Sequence, residues 1–299
     1  MLDRSILQGV VDLHIHAGPS VAKRSVDAVE ALKEAEDAGY RAIVIKDHYC
    51  PTVTECVIAE QHLGNGKTKC FGGIVLNNSV GGLNCNAIDA AIAMGAKIVW
   101  MPTVSAKNHM DHHKGGFLGA GSMSVPEKPI YYLNESGKLI PEVLDVLRLM
   151  AEHKDIIFAT GHGHRDELDQ LIPAALEAGV EKILVNHPMW QIEATEEDVC
   201  RWAGMGAVIE FNTCIYENMV NQKTGQQMGP IPFTLFERYF DRLPIEKMVI
   251  DTDLGQSIFW SPVTGMYEFL NEIHTRFGIS EEEINCMTKK NPAKLLDLV

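Results

Sequence analysis

Two histidines near the start of the chain, His14 and His16, have the residue type and the spacing to act together in chemistry. The apolar residues around them predict a buried strand, which Gly18 and Pro19 follow as a break. Side chains two positions apart on a strand point to the same side, so the two imidazoles would lie next to each other at the strand end. A rigid strand can offer two such ligands to one metal ion. The alternative is a strand end with two solvated or hydrogen-bonded histidines.

The composition limits the class of protein. The chain has 299 residues and no obvious linker, and we expect residues 1–299 to form a single domain. The formal net charge of -14 argues against nucleic acid or an anionic membrane as a partner. No apolar run approaches the length that crosses a bilayer, and the N-terminus lacks the pattern of a signal peptide. The 7 cysteines include no Cys-x-x-Cys pair, which indicates a reduced, cytoplasmic protein.

Short runs rich in β-branched residues alternate with amphipathic segments along the chain. The runs span residues 10–16, 42–48, 71–77, 97–103, 156–162, 182–187, 207–212 and 247–253. Most of them start about 25–30 residues apart, which is the length of one strand–helix unit. This repeat predicts an α/β fold of the (β/α)8 TIM-barrel type. A doubly wound open sheet is the alternative, and the absence of a Gly-x-Gly-x-x-Gly turn after the first run argues against it.

A long segment, residues 104–140, interrupts this repeat between the fourth strand and its helix. It would lie on the C-terminal face of the barrel, where active sites are built, and we predict a mobile lid loop with hinge glycines within residues 115–121. The segment carries several histidines. We interpret His112 and His113 as solvated and leave the role of His109 open.

Ionisable residues follow most of the predicted strands. They are His14 and His16 in the first, Lys46, Asp47 and His48 in the second, His162 and His164 after the fifth, His187 after the sixth, Glu210 in the seventh, and Asp251 and Asp253 in the eighth. The carboxyl ends of parallel strands meet at one mouth of a barrel, so these residues would converge although they are far apart in sequence. Isolated core histidines would not recur at one end of so many strands. The pattern therefore predicts a metal site.

This set of residues resembles the amidohydrolase superfamily. That superfamily has His-x-His after strand one, single histidines after strands five and six, and an aspartate after strand eight. The segment 291–296 of this chain is also similar to its closing helix. The resemblance is closest to the amidohydrolase-related hydrolases and decarboxylases that lack a β-sandwich domain. It implies a divalent metal cofactor, Zn²⁺ first, with Mn²⁺ or Fe²⁺ as alternatives and with one or two ions bound.

The resemblance also implies roles for particular residues. The implied metal ligands are His14, His16, His162 and Asp253. His187 would be either a ligand of a second ion or a catalytic acid/base, and Asp253 would also be the general base toward a metal-activated water. Glu210 is a candidate hydrogen-bond partner for a ligand histidine. The candidate substrate-binding residues are Lys46, His48, His164, Arg165 and Trp100.

One part of the superfamily pattern is missing, because no lysine or acid stands at the end of strand four to bridge two ions. Lys46 could replace this bridge after carboxylation, since a lysine among cations and apolar walls has a depressed pKa. Lys46 could equally be a free catalytic cation that holds a substrate carboxylate or phosphate, or a partner in a salt bridge. These readings leave the number of metal ions open.

The leading functional hypothesis is a metal-dependent hydrolase that cleaves an amide, lactone or ester bond of a small-molecule substrate. The alternative is a one-metal decarboxylase of an unsaturated or aromatic carboxylic acid. In that enzyme His187 and Asp253 would handle protons, while Lys46 or Arg165 would hold the carboxylate. A third hypothesis is a non-catalytic barrel that senses a metal or a ligand. We expect the protein to be a homo-oligomer.

Overall fold

A barrel of eight parallel strands forms the centre of the protein, seen in a computed structural model that describes residues 1–114, 116–117 and 121–298. The strands are β1 (Val11–His16), β2 (Ala42–Lys46), β3 (Lys69–Val75), β4 (Ile98–Trp100), β5 (Ile157–Ala159), β6 (Ile183–Val185), β7 (Val208–Asn212) and β8 (Met248–Asp251). They pair in sequence order. The end of β8 returns to β1, where the amide of His16 donates to the carbonyl of Leu254 at 2.7 Å. The predicted (β/α)8 barrel is confirmed.

Helices surround the strands and follow them in the chain. They are α1 (Ala28–Asp37), α2 (Val53–Leu63), α3 (Cys85–Ala93), α4 (Lys107–His112), α5 (Pro141–Glu152), α6 (Arg165–Ala178), α7 (Glu196–Met205), α8 (Phe233–Arg242), α9 (Pro262–Phe277), α10 (Glu281–Asn285) and α11 (Asn291–Leu295). Local sequence explains their starts, as in α1, where the Asp27 carboxylate accepts the amide of Glu30 at 2.8 Å. Within the described part of the chain, no helix combines the length and the apolar character that crossing a membrane requires.

The apolar core has two layers. The larger layer lies between the strands and the helices, and a smaller cluster fills the barrel interior, with Val11, Val44 and Trp100 among its members. Leu295 and Leu296 from the C-terminal end of the chain belong to the interior cluster. The barrel is therefore a packed core, and its polar residues are concentrated toward one end.

The strands end earlier than the sequence pattern predicts. The second, fifth, sixth and eighth strands end at Lys46, Ala159, Val185 and Asp251. His48, His162, His187 and Asp253 therefore lie in the loops that leave the barrel, just beyond the last ladder pairs. At this edge the chain turns toward the helices, so backbone pairing stops while the side chains still face the mouth.

A β-bulge in β1 includes His14, the first histidine of the predicted ligand pair. Asp12 pairs with Ile43 of β2, and the next pair joins Ile15 to Ile45, so the two residues between on β1 face one residue of β2. Bulges occur next to active sites because they re-aim a side chain. His14 is one of the two bulged residues, and its imidazole lies inside the barrel mouth with that of His16.

Residues 104–140 contain more structure than the predicted loop. They include the short helix α4, and bridges join Ala106 to Ile130 and Leu133 to Leu139. The segment packs on the C-terminal face, as expected, because the side-chain amide of Asn108 donates to the carbonyl of His162 and the buried ring of Tyr132 lies against Gly163. Its mobility stays a prediction. Several residues of the predicted glycine hinge, including Gly115 and Gly119, lie outside the described residues.

Candidate metal centre and substrate chamber

The structure brings His14, His16 and Asp253 into one group of possible metal ligands. Asp253 Oδ1 lies 3.1 Å from His14 Nε2 and 3.0 Å from His16 Nε2. Both imidazoles are buried, and the Asp253 side chain is 12% exposed toward the mouth. The backbone supports this geometry, since the amide of Asp253 donates to the carbonyl of His14 at 2.7 Å.

The hydrogen bonds around these residues make the group suitable for a cation. His16 Nδ1 lies 3.0 Å from the carbonyl of Lys46, which can only accept, so Nδ1 carries the proton and Nε2 presents a lone pair. Burial, followed by the charge of Arg24, lowers the pKa of His16 to about 3, which keeps the ring neutral. Two acceptors, His16 Nε2 and Asp253 Oδ1, then face each other. A divalent ion between them would make this contact favourable.

Glu210 orients the second histidine from inside the barrel. Its Oε1 lies 3.0 Å from His14 Nδ1, and its Oε2 accepts from the Asn186 amide at 2.9 Å. Burial alone would raise the pKa of Glu210, but the charge and hydrogen bond of His14 outweigh burial and lower it. An ionised Glu210 holds the proton of His14 on Nδ1 and directs Nε2 toward Asp253. This is the usual carboxylate–histidine–metal arrangement.

Asp251 stands two residues before Asp253 but belongs to a second group of possible metal ligands, with His14 and Glu210. It lies inside the barrel with its carboxyl group hydrogen-bonded to Asn212, and burial raises its pKa well above the ordinary value. The pKa of Asp253 shifts in the opposite direction. Burial would raise this pKa, but the charges and hydrogen bonds of His14 and His16 bring it well below the ordinary value. Asp253 is therefore the ionised acid of the mouth.

Two site residues have backbone conformations that side chains rarely adopt. Their φ angles are 22° at His187 and 50° at Asp253. Such conformations persist only where the surrounding structure imposes them, and they concentrate at functional sites. Each residue stands two positions after the last residue of a strand, β6 or β8, where the backbone turns out of the barrel.

His162 and His187 lie beside the His14 group as a second pair of imidazoles, with ring centroids 4.8 Å apart. His187 is also 6.4 Å from His14 between ring centroids. Two atoms of this pair, His162 Nε2 and His187 Nδ1, are buried and have no hydrogen-bond partner among the described residues. Burial lowers the pKa of His187 to about 4 against the charges of Asp253 and Glu210. Two neutral imidazoles with unpartnered nitrogens could hold a second ion or bind a substrate.

Lys46 lies between the two groups of histidines. Its ammonium is 2.9 Å from His14 Nε2 and lies 5.3 Å from the centroid of the Trp100 ring. Burial lowers the pKa of Lys46, although Asp253, Glu210 and Asp251 oppose this shift. Trp100 is fully buried below Lys46. It therefore packs under the site and does not line the space above it.

The remaining substrate-binding candidates are divided between the site and the outer surface. His48 lies in the site, with its ring centroid 4.7 Å from that of His16 and its Nδ1 2.9 Å from the hydroxyl of Thr103. His164 is the N-cap of α6 and forms a capping box with Glu167. Arg165 forms an ion pair with Asp198 at 3.2 Å. The structure brings His48 to the candidate metal centre. His164 instead caps α6, and Arg165 pairs with Asp198. Contact of any of these three residues with a substrate stays a prediction.

A partly open chamber with a volume of about 190 Å³ lies beside Asp253 of the candidate metal centre. Its apolar walls are Phe117, Trp190, Ile215, Met228, Pro230 and Phe259. Its polar lining includes Asp253, Gln256 and His113. The thiol of Cys214, also in the lining, lies 3.4 Å from Asp253 Oδ2. Walls from the segments after β4, β6, β7 and β8 thus surround the free side of Asp253.

The pattern of residues did not indicate the contribution of His109 in α4. The ring of His109 is buried. Its Nδ1 is 2.8 Å from His162 Nδ1 and 3.1 Å from Gln191 Oε1. His113 lines the chamber and contacts Gln191, in contrast to the predicted solvated loop, while His112 is exposed beside Glu193. A cluster of histidines in one segment was the only signal. Its meaning depends on how that segment folds back over β5.

The overall fold is similar to several solved enzyme structures. An organophosphorus hydrolase from Deinococcus radiodurans is 13% identical with a TM-score of 0.59, covering 97% of this chain and 93% of that one. 2,6-Dihydroxybenzoate decarboxylase is 11% identical with a TM-score of 0.57, covering 97% and 99%. A structure described as organophosphate hydrolysis activity engineered from a weak promiscuous lactonase template is 13% identical with a TM-score of 0.58, covering 99% and 98%. At these identities the likeness establishes the TIM-barrel fold.

The chain belongs to DUF6282, described as a family of unknown function, whose model matches residues 9–210. The matched region includes His14, His16, Lys46, His162 and His187. Asp253 lies beyond it. No curated protein matches the chain.

Proposed function

We propose that this protein is a metal-dependent hydrolase of the amidohydrolase superfamily that cleaves an amide, lactone or ester bond of a small molecule. The observation that carries this proposal is the convergence of His14 Nε2, His16 Nε2 and Asp253 Oδ1 in one group of possible metal ligands, of which Asp253 also lines the adjacent chamber. Imidazole and carboxylate ligands suit Zn²⁺, and Mn²⁺ or Fe²⁺ are alternatives. An ion bound there would polarise a carbonyl group and lower the pKa of a water molecule.

Asp253 is the proton acceptor in this proposal. Its low pKa keeps the carboxylate ionised at neutral pH, and its two oxygens face different partners. Oδ1 faces the ligand histidines, while Oδ2 lies on the chamber side near the Cys214 thiol. Asp253 would take a proton from the attacking water and pass it to the leaving group. Its constrained backbone holds the carboxylate in place for both transfers.

Two further residues would position the substrate. The unpartnered Nδ1 of His187 can bind the carbonyl oxygen or the leaving group as a hydrogen-bond partner, or hold a second ion. The chamber of about 190 Å³ admits only a small apolar part of a substrate. Its aromatic and aliphatic walls would exclude bulk water while that part is bound.

A decarboxylase is the second candidate, and the position of Lys46 favours it. The Lys46 ammonium lies 2.9 Å from His14 Nε2, beside the proposed ion, where it could hold a substrate carboxylate as a free cation. Carboxylated Lys46 would instead supply the negative charge that two closely spaced ions need. The mass of the intact, metal-loaded protein separates these states, because carboxylation adds one carbon dioxide to the chain.

The metal site is tested with His16→Ala and with a matched control, His62→Ala, since His62 is exposed on α2. We expect about one ion per chain or more in the wild type and in the control after dialysis, and loss of most of the metal from His16→Ala. Elemental analysis measures this content. Equal metal in all three proteins would refute the site.

The reaction class is tested with Asp253→Asn, which keeps the size of the side chain and removes its charge. A panel of small lactones, esters and amides is assayed for acid release, and a panel of aromatic and unsaturated acids is assayed for carbon dioxide release. We expect acid release by the wild type and a loss of about 100-fold or more in Asp253→Asn. Carbon dioxide release without hydrolysis would establish the decarboxylase instead.

A further inference from the structure

Arg24 is a buried guanidinium group beside the metal centre, in the loop between β1 and α1. Its side chain is 2% exposed. None of its three nitrogens, Nε, Nη1 and Nη2, has a hydrogen-bond partner among the residues that the structure describes. A guanidinium has five N–H donors, and leaving them unpaired away from water is costly. Such a group needs an acceptor that the described protein atoms do not supply.

Asp47 balances the charge of Arg24 but does not occupy its donors. Asp47 Oδ2 is 3.8 Å from Arg24 Nη2, which is beyond hydrogen-bond distance. The other oxygen, Oδ1, accepts the amides of Tyr49 at 2.8 Å and Cys50 at 3.1 Å. These bonds hold the carboxylate in its loop. Asp47 therefore makes the burial of the cation tolerable while the planar fork of Arg24 stays available.

The loop of Arg24 is attached to the elements that form the site. The backbone of Arg24 forms an isolated antiparallel β-bridge with the backbone of Gln256. The amide of Ser25 donates to the carbonyl of Gly255 at 2.7 Å. Gln256 lines the chamber together with Asp253. The guanidinium also acts on the site electrostatically, because its charge adds to burial in lowering the pKa of His16. Arg24 therefore stands on the β1 and β2 side of the proposed ion, while the apolar walls rise largely from the segments after β6, β7 and β8.

We propose that Arg24 binds a carboxylate group of the substrate. This proposal rests on the proposed function and narrows its substrate class to small acids whose scissile carbonyl group and carboxylate are separated by a short chain. A carboxylate matches the guanidinium fork with two parallel hydrogen bonds. It also matches the charge, since Asp47 already supplies one negative charge and a monoanion fits beside it better than a phosphate dianion.

Lys46 is less suited than Arg24 to bind the substrate carboxylate. Its ammonium already lies within hydrogen-bond distance of His14 Nε2, and the Trp100 ring packs against it. An anion drawn to Lys46 would meet the metal ligands themselves. Arg24 offers unoccupied donors outside the ligand set, so a substrate can reach the ion with its carbonyl group and Arg24 with its carboxylate.

The test uses the zinc-loaded protein and two hydroxamates that bind zinc through the same group. Succinic monohydroxamic acid ends in a carboxylate, and butyrohydroxamic acid has a methyl group in its place. Glutaric monohydroxamic and pentanohydroxamic acids repeat the comparison with one more methylene. Calorimetry gives each dissociation constant for the wild type, Arg24→Gln, Arg24→Lys and the neighbouring exposed control Lys23→Gln.

We expect the wild type and Lys23→Gln to prefer the carboxylate of at least one pair by about 10-fold to 100-fold, the range for a hydrogen-bonded charge pair. Arg24→Gln should lose this preference, with unchanged zinc content and unchanged affinity for the methyl compound. Arg24→Lys keeps the positive charge but lacks the planar guanidinium group, so it should lose most of the preference for the carboxylate compound. If Arg24→Gln does not fold, Arg24→Lys is measured in its place.

Three results would overturn the proposal. Equal affinities of the wild type for both members of each pair would show that no carboxylate is recognised. The same preference in the wild type and both Arg24 variants would assign recognition to another residue. Stronger competition by inorganic phosphate than by acetate, lost in Arg24→Gln, would identify a phosphate site. Absence of zinc and of binding by every hydroxamate would instead refute the metal site itself, and this proposal with it.

Discussion

At the scale of single residues, buried polar atoms without hydrogen-bond partners are concentrated near the mouth of the barrel. The described residues of this kind include Arg24, Asp47, His162, His187 and Gln256. Folded proteins normally pair such atoms, since an unpaired one costs about 1–3 kcal/mol. Their concentration around the proposed ion indicates that the region is built to bind something. The cost is acceptable because the large core of the barrel supplies the stability.

Glu55, in the first turn of α2 and outside the candidate metal centre, also has a buried polar atom that destabilises the folded state. Its Oε1 is buried and has no hydrogen-bond partner in the described part of the chain, and burial, followed by the charge of Asp47, raises the pKa of Glu55 to about 7. The unfolded chain releases this proton at a lower pH. The native state therefore binds more protons than the unfolded state between about pH 4.5 and 7, and stability falls as the pH rises through this window.

Replacing Glu55 with Gln removes this penalty. We expect Glu55→Gln to be more stable than the wild type at pH 8, by about 1 kcal/mol because solvent screens this partly exposed group, and to show little difference at pH 5. Urea unfolding at both pH values measures the difference. The exposed control Glu152→Gln should have the same free energy of unfolding as the wild type at both pH values. A gain for Glu55→Gln that does not depend on pH would contradict a raised pKa at Glu55.

At the scale of elements, the site depends on segments that leave the strands and return over the mouth. Residues 104–140 bring His109 against His162 and Phe117 against His48, and Tyr132 attaches the segment to the barrel. The buried hydroxyl of Tyr132 lies 3.1 Å from the carbonyl oxygens of Pro102 and Thr160. It thereby joins the segment to the ends of β4 and β5.

The adjacent tyrosines provide a matched test of this attachment. Tyr132 is fully buried, whereas Tyr131 is 47% exposed. We expect Tyr132→Phe to lower the free energy of unfolding by about 1–2 kcal/mol, because a buried hydrogen bond to the barrel is lost. Tyr131→Phe should change it by less than about 0.5 kcal/mol. Urea unfolding compares the two, and equal effects would show that the Tyr132 hydroxyl does not hold the segment.

At the scale of the whole molecule, the proposed ion lies at the seam where the barrel closes. His14 and His16 belong to β1, and Asp253 follows β8, so the ligands come from the first and last strands. A bound ion would join the two ends of the sheet. It binds a geometry that exists only in the closed barrel, and it must therefore stabilise the folded state through mass action.

We expect the melting temperature to rise with free zinc concentration and to fall when a chelator removes the metal. The gain would reach about 4 kcal/mol at a free zinc concentration about 1,000 times the dissociation constant. Differential scanning calorimetry measures it on the wild type and on His16→Ala. The variant should melt at the same temperature with and without zinc, and a wild type without zinc dependence would contradict an ion at the seam.

The sequence by itself determined the architecture and most of the candidate ligands. The alternation of β-branched runs and amphipathic segments recurs along the whole chain, and local burial patterns of this kind specify strands, helices and their order. Once the barrel is expected, the carboxyl ends of its strands must meet. The sequence pattern therefore suffices to place His14, His16, His187 and Asp253 at one mouth.

The tertiary structure alone decided how each polar side chain is used. The resemblance already implied Asp253 as a ligand, but only the fold shows that Asp251 turns into the barrel toward Asn212 while Asp253 faces His14 and His16. Arg24 and Arg165 are both arginines in segments that follow strands, but Arg165 pairs with Asp198 while the buried Arg24 guanidinium has no hydrogen-bond partner among the described residues. These outcomes depend on burial and on contacts between residues far apart in the chain. A local pattern carries no record of which partner a side chain meets, and only the closed fold supplies it.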